Sequence, residues 1–283
     1  MKRLASLLLT LSLLFLILYF VPFKELKSAI LGVEPLNLFT AFLFYSLSQM
    51  LRSIRWKMLL RSFNLYQALL INSANIMFNN LLPARTGELS WFYYAKKLGI
   101  SFNHSLWSFF VGRLYDFYAL FLLLFVSLSI AHRSFMIPAL LVFSLGFLFH
   151  KLYHLLPTSG RLGSLREFIK KEMSLKLCLN LFLLSSASSI LKFGSLLALF
   201  ELWNPDTYKV FVAFLGGELS SVLPIHNLMG IGTYEFAFSL PLKLLGEGLQ
   251  EWLKLGFIFH GFLLLSSLLW GIPSAFLLSR RKL

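Results

Sequence analysis

The chain has 283 residues, of which 58% are apolar, 17% aromatic and only 13% charged, with a formal net charge of +14 and a mean hydropathy of +0.75. A soluble domain carries about 25% charged and 45–50% apolar residues, and one globular core of this size could not hide the excess. The composition therefore excludes a soluble enzyme, a disordered tail and a disulfide-built secreted module, and the one cysteine, Cys178, allows no intramolecular bridge and no cysteine-cluster metal site.

Apolar runs of the length that a lipid bilayer demands place six spanning helices at Leu4–Val21, Leu36–Leu51, Ser105–Ala131, Phe135–Leu152, Leu177–Phe200 and Trp252–Leu278. Met1-Lys2-Arg3 before the first run fits a secretory leader, but the run leads into Val21-Pro22-Phe23-Lys24 without a small-x-small cleavage site. It reads as a membrane anchor.

Two more apolar stretches, Leu65–Tyr94 and Tyr208–Leu245, do not read as ordinary spans. The first has basic clusters at both ends, Arg61 before it and Lys96-Lys97 after it, and its middle holds Asn79, Asn80, Pro83, Arg85, Thr86, Gly87 and Glu88. The second holds Ser220, Ser221, Pro224, His226, Asn227, Gly230, Gly232, Thr233 and Glu235. Proline, glycine and polar residues at membrane depth free backbone groups that lipid cannot satisfy, so such backbone is buried in protein or lines a wet cavity. Both stretches read as re-entrant helical hairpins.

The basic residues take sides. Seventeen of the 26 lysines and arginines flank the spans on one face, including Arg52, Arg55, Lys57 and Arg61 after the second span, and six lie on the other. That asymmetry puts both termini in the cytoplasm and turns the large positive charge away from nucleic acid. The amphipathic segment Arg161–Lys176 reads as an interfacial helix on anionic lipid.

The order of elements then repeats. Residues 1–133 give helix, helix, hairpin, helix, and residues 134–283 give the same succession with every direction reversed. Pro83 and Pro224, and Thr86-x-Glu88 and Thr233-x-Glu235, fall at matching places, and at the offset of the latter pair Arg113 falls on His260. Opposed halves with interrupted hydrophobic segments in register mark many transporters, with the site between the repeats. The fold class expected is an all-α polytopic membrane protein: one integral domain of six transmembrane helices plus two re-entrant hairpins, as an inverted repeat.

Charges at membrane depth are costly and need partners or a purpose. They are expected to be Arg85, Glu88, Arg113, Asp116, Lys192, Glu218 and Glu235. Pro83 ends the inbound arm of the first hairpin. Thr86 is the expected N-cap of the outbound arm, with Gly87 and Glu88 in its first turn. That helix start beside Arg85 would suit an anion, or else Arg85 and Glu88 merely close the hairpin tip. Arg113 and Asp116, at i and i+3, read either as an internal ion pair or as a carboxylate orienting a guanidinium towards a phosphate. In the second hairpin, Thr233 is expected to cap a helix near Glu235, Gly230 and Gly232 to permit a tight turn, and Glu218 to line the inbound arm before Pro224. With no arginine there, that half reads first as packing, and otherwise as a gate or a proton or cation site. Lys192 is expected to snorkel to the interface, with pairing to Glu218 as the alternative. No cofactor, metal or nucleotide motif is present, and neither a nucleophile nor a metal set accompanies the carboxylates, so no enzymatic activity is expected.

Leu82-Pro83-Ala84-Arg85-x-Gly87-Glu88, followed by Arg113-Leu114-x-Asp116, resembles the transmembrane region of the lysylphosphatidylglycerol synthetase/flippase family. Leu223-Pro224 with Gly230-x-Gly232-x-x-Glu235 resembles that family's second signature, departing from it at His226–Met229. The likeness runs from about Arg52 to Arg281. It implies an inner-membrane lipid-translocating module, here as a stand-alone member without a synthetase domain. The partners it implies are the bilayer and a lipid substrate with an anionic headgroup, a phospholipid or a polyprenyl lipid, together with a lipid-modifying enzyme. The expected function is a lipid flippase. The alternatives are an ion-coupled small-solute transporter on the same architecture and a scaffold for a lipid-modifying partner.

Overall fold

The computed structural model describes residues 24, 27, 28, 31–131, 133–202, 207–222, 228–244 and 246–280. The expected first span, Leu4–Val21, and Pro224 with His226 and Asn227 lie outside the described residues. Among those described there are ten α-helices and no strand: α1 (Pro35–Leu59), α2 (Leu65–Leu81), α3 (Leu89–Lys97), α4 (Phe102–Ala131), α5 (Met136–Leu148), α6 (Gly160–Glu172), α7 (Leu175–Phe200), α8 (Thr207–Val222), α9 (Thr233–Leu244) and α10 (Leu249–Arg280). Short 3₁₀ turns join some of them, at Pro83–Glu88 and Phe149–His154 among others.

Four helical stretches are long and apolar enough to cross a membrane: Phe102–Ile130, Arg133–His154, Leu175–Phe200 and Leu249–Arg280. They coincide with the third to sixth expected spans. Helix α1, over the expected second span, runs eight residues past Leu51 and carries Arg52, Arg55 and Lys57 in its last third. Large apolar side chains stand outside on these helices, among them Ile130, Ile137, Leu140, Leu183, Ile190, Leu265, Leu269 and Ile272. A surface of that kind is solvated by lipid, not water.

Local chemistry sets several boundaries. Pro35 opens α1, where its missing N–H costs nothing. Asn64 and Gln67 form a reciprocal capping box at the start of α2, and Ser174 accepts from the Leu177 N–H to start α7. The residue before Pro83, Leu82, is extended (φ −97°, ψ 140°), and α2 ends there as the proline dictates.

Helix α1 packs along α7, α2 along α10, and α8 folds back on α9. The apolar interior is divided in two. One core gathers Trp56 and Leu59 of α1, Trp91, Tyr115 and Phe149, with Cys178, Leu181 and Phe182 of α7. The other gathers Ala41 and Tyr45 of α1 with Phe193, Leu196 and Leu197 of α7, Phe214, Tyr234, Phe238 and Phe259. Between them α1 contributes buried Ser48, Gln49, Ser53 and Arg55, and α7 contributes Ser185 and Ser188. A polar layer thus crosses the bundle halfway along α1 and α7.

Helix α6 corrects one expectation. Leu165, Phe168 and Ile169, with Met173 just beyond its end, are buried in the first core, and only Leu162 of the apolar set is half exposed. The apolar face covers protein, because Phe149, Trp107 and His104 offer it a ready surface.

The helices before and after α5 and α6 follow one another in parallel series. Helices of 25, 17, 9 and 30 residues (α1–α4) correspond in order to helices of 26, 16, 12 and 32 residues (α7–α10).

Candidate functional site

The polar layer holds a cavity of about 60 Å³, bordered by Tyr45, Gln49, Arg52, Asn79, Arg85, Arg113, Lys192, Ser221, Tyr234 and His260 among others. A polar space of that size accommodates a few water molecules. Each wall comes from a different element, and the charges fall into three groups.

The first group centres on Asp116, which is 6% exposed. Arg55 Nη1 donates to Asp116 Oδ1 and its Nη2 donates to Oδ2 at 3.1 Å, the fork-to-fork pairing that fits guanidinium to carboxylate. Arg55 Nη1 also donates to Ser185 Oγ at 2.6 Å, and Arg52 Nη2 to Asp116 Oδ2 at 3.2 Å. Arg113 stands 3.7 Å from the same carboxylate. This corrects the expectation that Asp116 orients Arg113: the carboxylate is taken by α1. It also corrects the placement of Arg52 and Arg55 at a cytoplasmic helix end, since Arg55 is wholly buried. Arg52 and Arg55 continue the polar face of α1 begun by Ser48 and Gln49 at helical spacing. That spacing was the signal in the sequence. It is hidden by Lys57 and Arg61, which make the four basic residues look like one solvated cluster.

The second group is the Pro83–Glu88 turn after α2. Arg85 pairs with Glu88 at 2.8 Å and donates to the Ser221 carbonyl near the end of α8. Glu88 also stands 3.6 Å from Arg113. The expected N-cap is not formed. Residues Pro83–Glu88 make a 3₁₀ turn, Thr86 Oγ1 donates back to the Pro83 carbonyl at 2.9 Å, and α3 starts only at Leu89 with no side-chain cap at Glu88. Guanidinium groups, not a helix start at Thr86, face the cavity here. Gly87 has a steric reason to be glycine: a Cβ there would lie 2.2 Å from the backbone carbon of Phe78. Asn75, one turn before Asn79 on α2, donates to the Gly87 carbonyl at 3.3 Å and holds the turn against the helix.

Arg113 is the exception among these cations. Its guanidinium is 15% exposed, lies 5.0 Å over the Phe109 ring, and makes no protein hydrogen bond among the described residues; its buried Nε has no partner. The contacts at 3.6 and 3.7 Å are too long for hydrogen bonds. Around this wall four guanidinium groups, Arg52, Arg55, Arg85 and Arg113, face two carboxylates, Glu88 and Asp116.

The third group belongs to the second half. Lys192 Nζ sits 2.8 Å from both oxygens of Glu218, and Tyr234 Oη donates to Glu218 at 3.4 Å. Lys192 is thus paired inside the bundle instead of snorkelling. His260 Nδ1 lies 2.8 Å from Glu235 Oε1, and the other oxygen of Glu235 accepts the Gly232 N–H at 2.5 Å. Helix α9 therefore begins at Thr233 with Glu235 reaching back over its first turn. Thr233 donates to the Gly230 carbonyl at 2.9 Å and is not the cap. Gly230 (φ 70°) and Gly232 (φ 89°) supply the left-handed backbone of the turn, as expected of them.

The family model described as "Lysylphosphatidylglycerol synthase TM region" matches residues 3–271. The chain belongs to this family. No curated protein and no solved structure matches it. Within this lysylphosphatidylglycerol synthase transmembrane-region protein, both halves of the sequence signature, Arg85-x-Gly87-Glu88 with Arg113 and Asp116, and Gly230-x-Gly232-x-x-Glu235, border or support one cavity. The match and the apolar helices together make it a multi-pass membrane protein.

Proposed function

We propose that this protein moves a lipid with an anionic headgroup, a phospholipid or a polyprenyl lipid, between the leaflets of the cell's inner membrane. The headgroup passes through the cavity while the tails stay in the bilayer. The observation that carries this reading is Arg113: a largely buried guanidinium without a hydrogen-bond acceptor, on a wall where cations outnumber carboxylates by four to two. Its two carboxylate neighbours stand too far off to accept its hydrogen bonds, and a phosphate fits its planar donors. Arg85 is the second contact. An anion that draws Arg85 from the Ser221 carbonyl releases the link between the Pro83–Glu88 turn and the end of α8. That event opens a space otherwise too small for a headgroup.

The architecture that suits this role is an inverted repeat of six spans and two re-entrant hairpins, with both termini cytoplasmic. The matching helix lengths of α1–α4 and α7–α10 support it, and so does a parallel in the site. Glu88 contacts Arg113 and Glu235 contacts His260, and both members of the second pair lie 147 residues after those of the first. A non-enzymatic role agrees with the site, which offers binding and charge. A lipid-modifying enzyme that supplies or consumes the lipid is the natural partner.

The test is leaflet exchange in liposomes holding the purified protein and labelled anionic, zwitterionic and polyprenyl-phosphate lipids. The expected result is exchange selective for anionic headgroups and lost in Arg113→Ala and Arg85→Ala proteins that remain folded. Exchange that ignores headgroup charge, or that survives both substitutions, rejects the reading.

A further inference from the structure

The cavity that Arg52, Arg85 and Arg113 border is also bordered by His260 of α10. The residue is 6% exposed and its ring is fixed from two sides. Nδ1 is held by Glu235, itself 1% exposed and locked by the Gly232 N–H, and the ring stacks on Tyr234 with centroids 4.5 Å apart. With Nδ1–H donating to the carboxylate, Nε2 carries the lone pair. Nε2 has no hydrogen-bond partner among the described residues, and the residue borders the cavity.

Other charged and titratable groups also face this space. On α9, Glu235 holds His260. On α8 and α7, Glu218 and Lys192 neutralise each other, with Tyr234 donating to Glu218. Helix α1 presents Tyr45 and Arg52, the Pro83–Glu88 turn presents Arg85 paired with Glu88, and α4 presents Arg113 near Asp116. Helix α2 offers only the neutral Asn79 and Asn80. Imidazole is the side-chain type whose charge changes between about pH 5 and 8. Arginine stays charged throughout that range.

We propose that the Glu235–His260 pair is a proton-binding site coupled to the anion site, so that one proton at His260 Nε2 and one phosphate-bearing headgroup enter the cavity together. The proton comes from water, one N–H bond forms, and neutral imidazole becomes imidazolium while Glu235 keeps its carboxylate. The added charge cancels that of Glu235 beside the cavity that Arg113 also borders, which favours an anion. By reciprocity a bound anion favours the proton to the same degree. A proton gradient can then bias the direction of lipid movement. This rests on the reading that the cavity takes an anionic headgroup.

The sign follows directly. The proton-bound form takes the anion better, so affinity is highest in acid and falls as pH rises and the proton is lost, by up to about tenfold per pH unit for one linked proton. The probe is short-chain phosphatidylglycerol, a phosphodiester that stays a monoanion, and its deacylated soluble counterpart glycerophosphoglycerol tests whether the tails are needed. Binding to the purified full-length protein is followed by calorimetry in two buffers of different ionisation enthalpy, which counts protons taken up per anion bound.

The expected result is close to one proton per anion for the wild type, and neither uptake nor pH dependence for His260→Gln. His260→Lys, a permanent cation, should bind at every pH without uptake. Binding without proton uptake by the wild type overturns this proposal and leaves the anion reading standing, whatever the variants do. No binding of either probe at any pH overturns both. Binding of the lipid alone assigns the site to membrane lipid, and binding of both probes alike assigns it to the phosphodiester itself; proton uptake decides the proposal in either case.

Discussion

Ser48 and Ser188 meet hydroxyl to hydroxyl at 3.0 Å, with 140 residues between them. The helices that carry them, α1 and α7, begin at Pro35 and Leu175, also 140 apart. Two residues at the same point of two corresponding elements touch only where a symmetry axis passes. Under the inverted repeat proposed above, the pair marks the line about which the two halves are related. A protein carrying Ser48→Cys and Ser188→Cys should form the intramolecular bridge under mild oxidation, with Cys178 left free in its buried position. Peptide mass spectrometry reads the link. Because an axis is the part that moves least when halves rock, the bridged protein should still exchange lipid. Loss of exchange on bridging would instead place the moving surface between α1 and α7.

Asp116 holds together elements that are far apart in sequence, α1 through Arg52 and Arg55 and, through Arg55, α7 at Ser185. Removing one partner of a buried pair leaves the other charge uncompensated, and that costs about 3–5 kcal/mol. Asp116→Ala should accordingly lower the detergent-solubilised protein's unfolding temperature far more than Arg113→Ala, whose guanidinium has no hydrogen bond to lose. Replacing both members, as in R55M/D116L, should restore only part of the lost stability, since Arg52 loses its carboxylate partner as well. If Arg113→Ala is as damaging as Asp116→Ala, the distinction between a structural and a ligand-facing cation fails.

That distinction was only half legible in the sequence. Proline and glycine within two apolar stretches announced that their helices break there, and the spacing of Arg113 and Asp116 announced charges that share a helix face. Pro83 and the glycines at 230 and 232 act as their chemistry predicts. What the chain order cannot carry is partner choice. Asp116 has Arg113 one turn away, yet binds arginines 61 and 64 residues distant, because the packing of α1 against α4 and α7 is a tertiary fact. The caps failed for a related reason. Thr86 and Thr233 have the residue type of an N-cap, but the turns around them are 3₁₀ and left-handed, and both hydroxyls donate backwards instead. Asn75 and Asn79 are buried in an apolar stretch at helical spacing, and their role in seating the Gly87 turn is clear only once α2 and that turn are in contact.

Gly87 tests how tightly that turn is seated. With its Cα pressed against the Phe78–Asn79 backbone, a methyl group would sit 2.2–2.4 Å from three main-chain atoms. Backbone inside a helix cannot yield as a side-chain tip can, so Gly87→Ala should destabilise the protein by about 1–3 kcal/mol, the usual cost of overpacking. Thermal unfolding checks the stability. Because the displaced turn carries Arg85 and Glu88, anion binding should weaken as well. A protein of unchanged stability would show that the turn stands farther from α2 than the structure places it.

Arg85 itself lies in the left-handed region, with φ of 53°. For a residue with a Cβ this conformation costs about 1–2 kcal/mol, while glycine adopts it freely. The strain is tolerated where the side chain is needed, here between Glu88 and the Ser221 carbonyl. Two substitutions that both remove the guanidinium separate backbone from side chain. Arg85→Gly relieves the strain but adds about 0.4–1 kcal/mol of unfolded-state entropy relative to Arg85→Ala. The strain relieved outweighs the entropy added, so the glycine variant should unfold at the higher temperature of the two. Both should lose selective exchange of anionic lipids, since neither can hold a phosphate. A glycine variant more stable than the alanine variant and equally inactive would show a strained arginine retained at the expense of stability. Equal unfolding temperatures would mean that the turn relaxes out of the left-handed region once the side chain is gone, and that the arginine's own contacts hold it there.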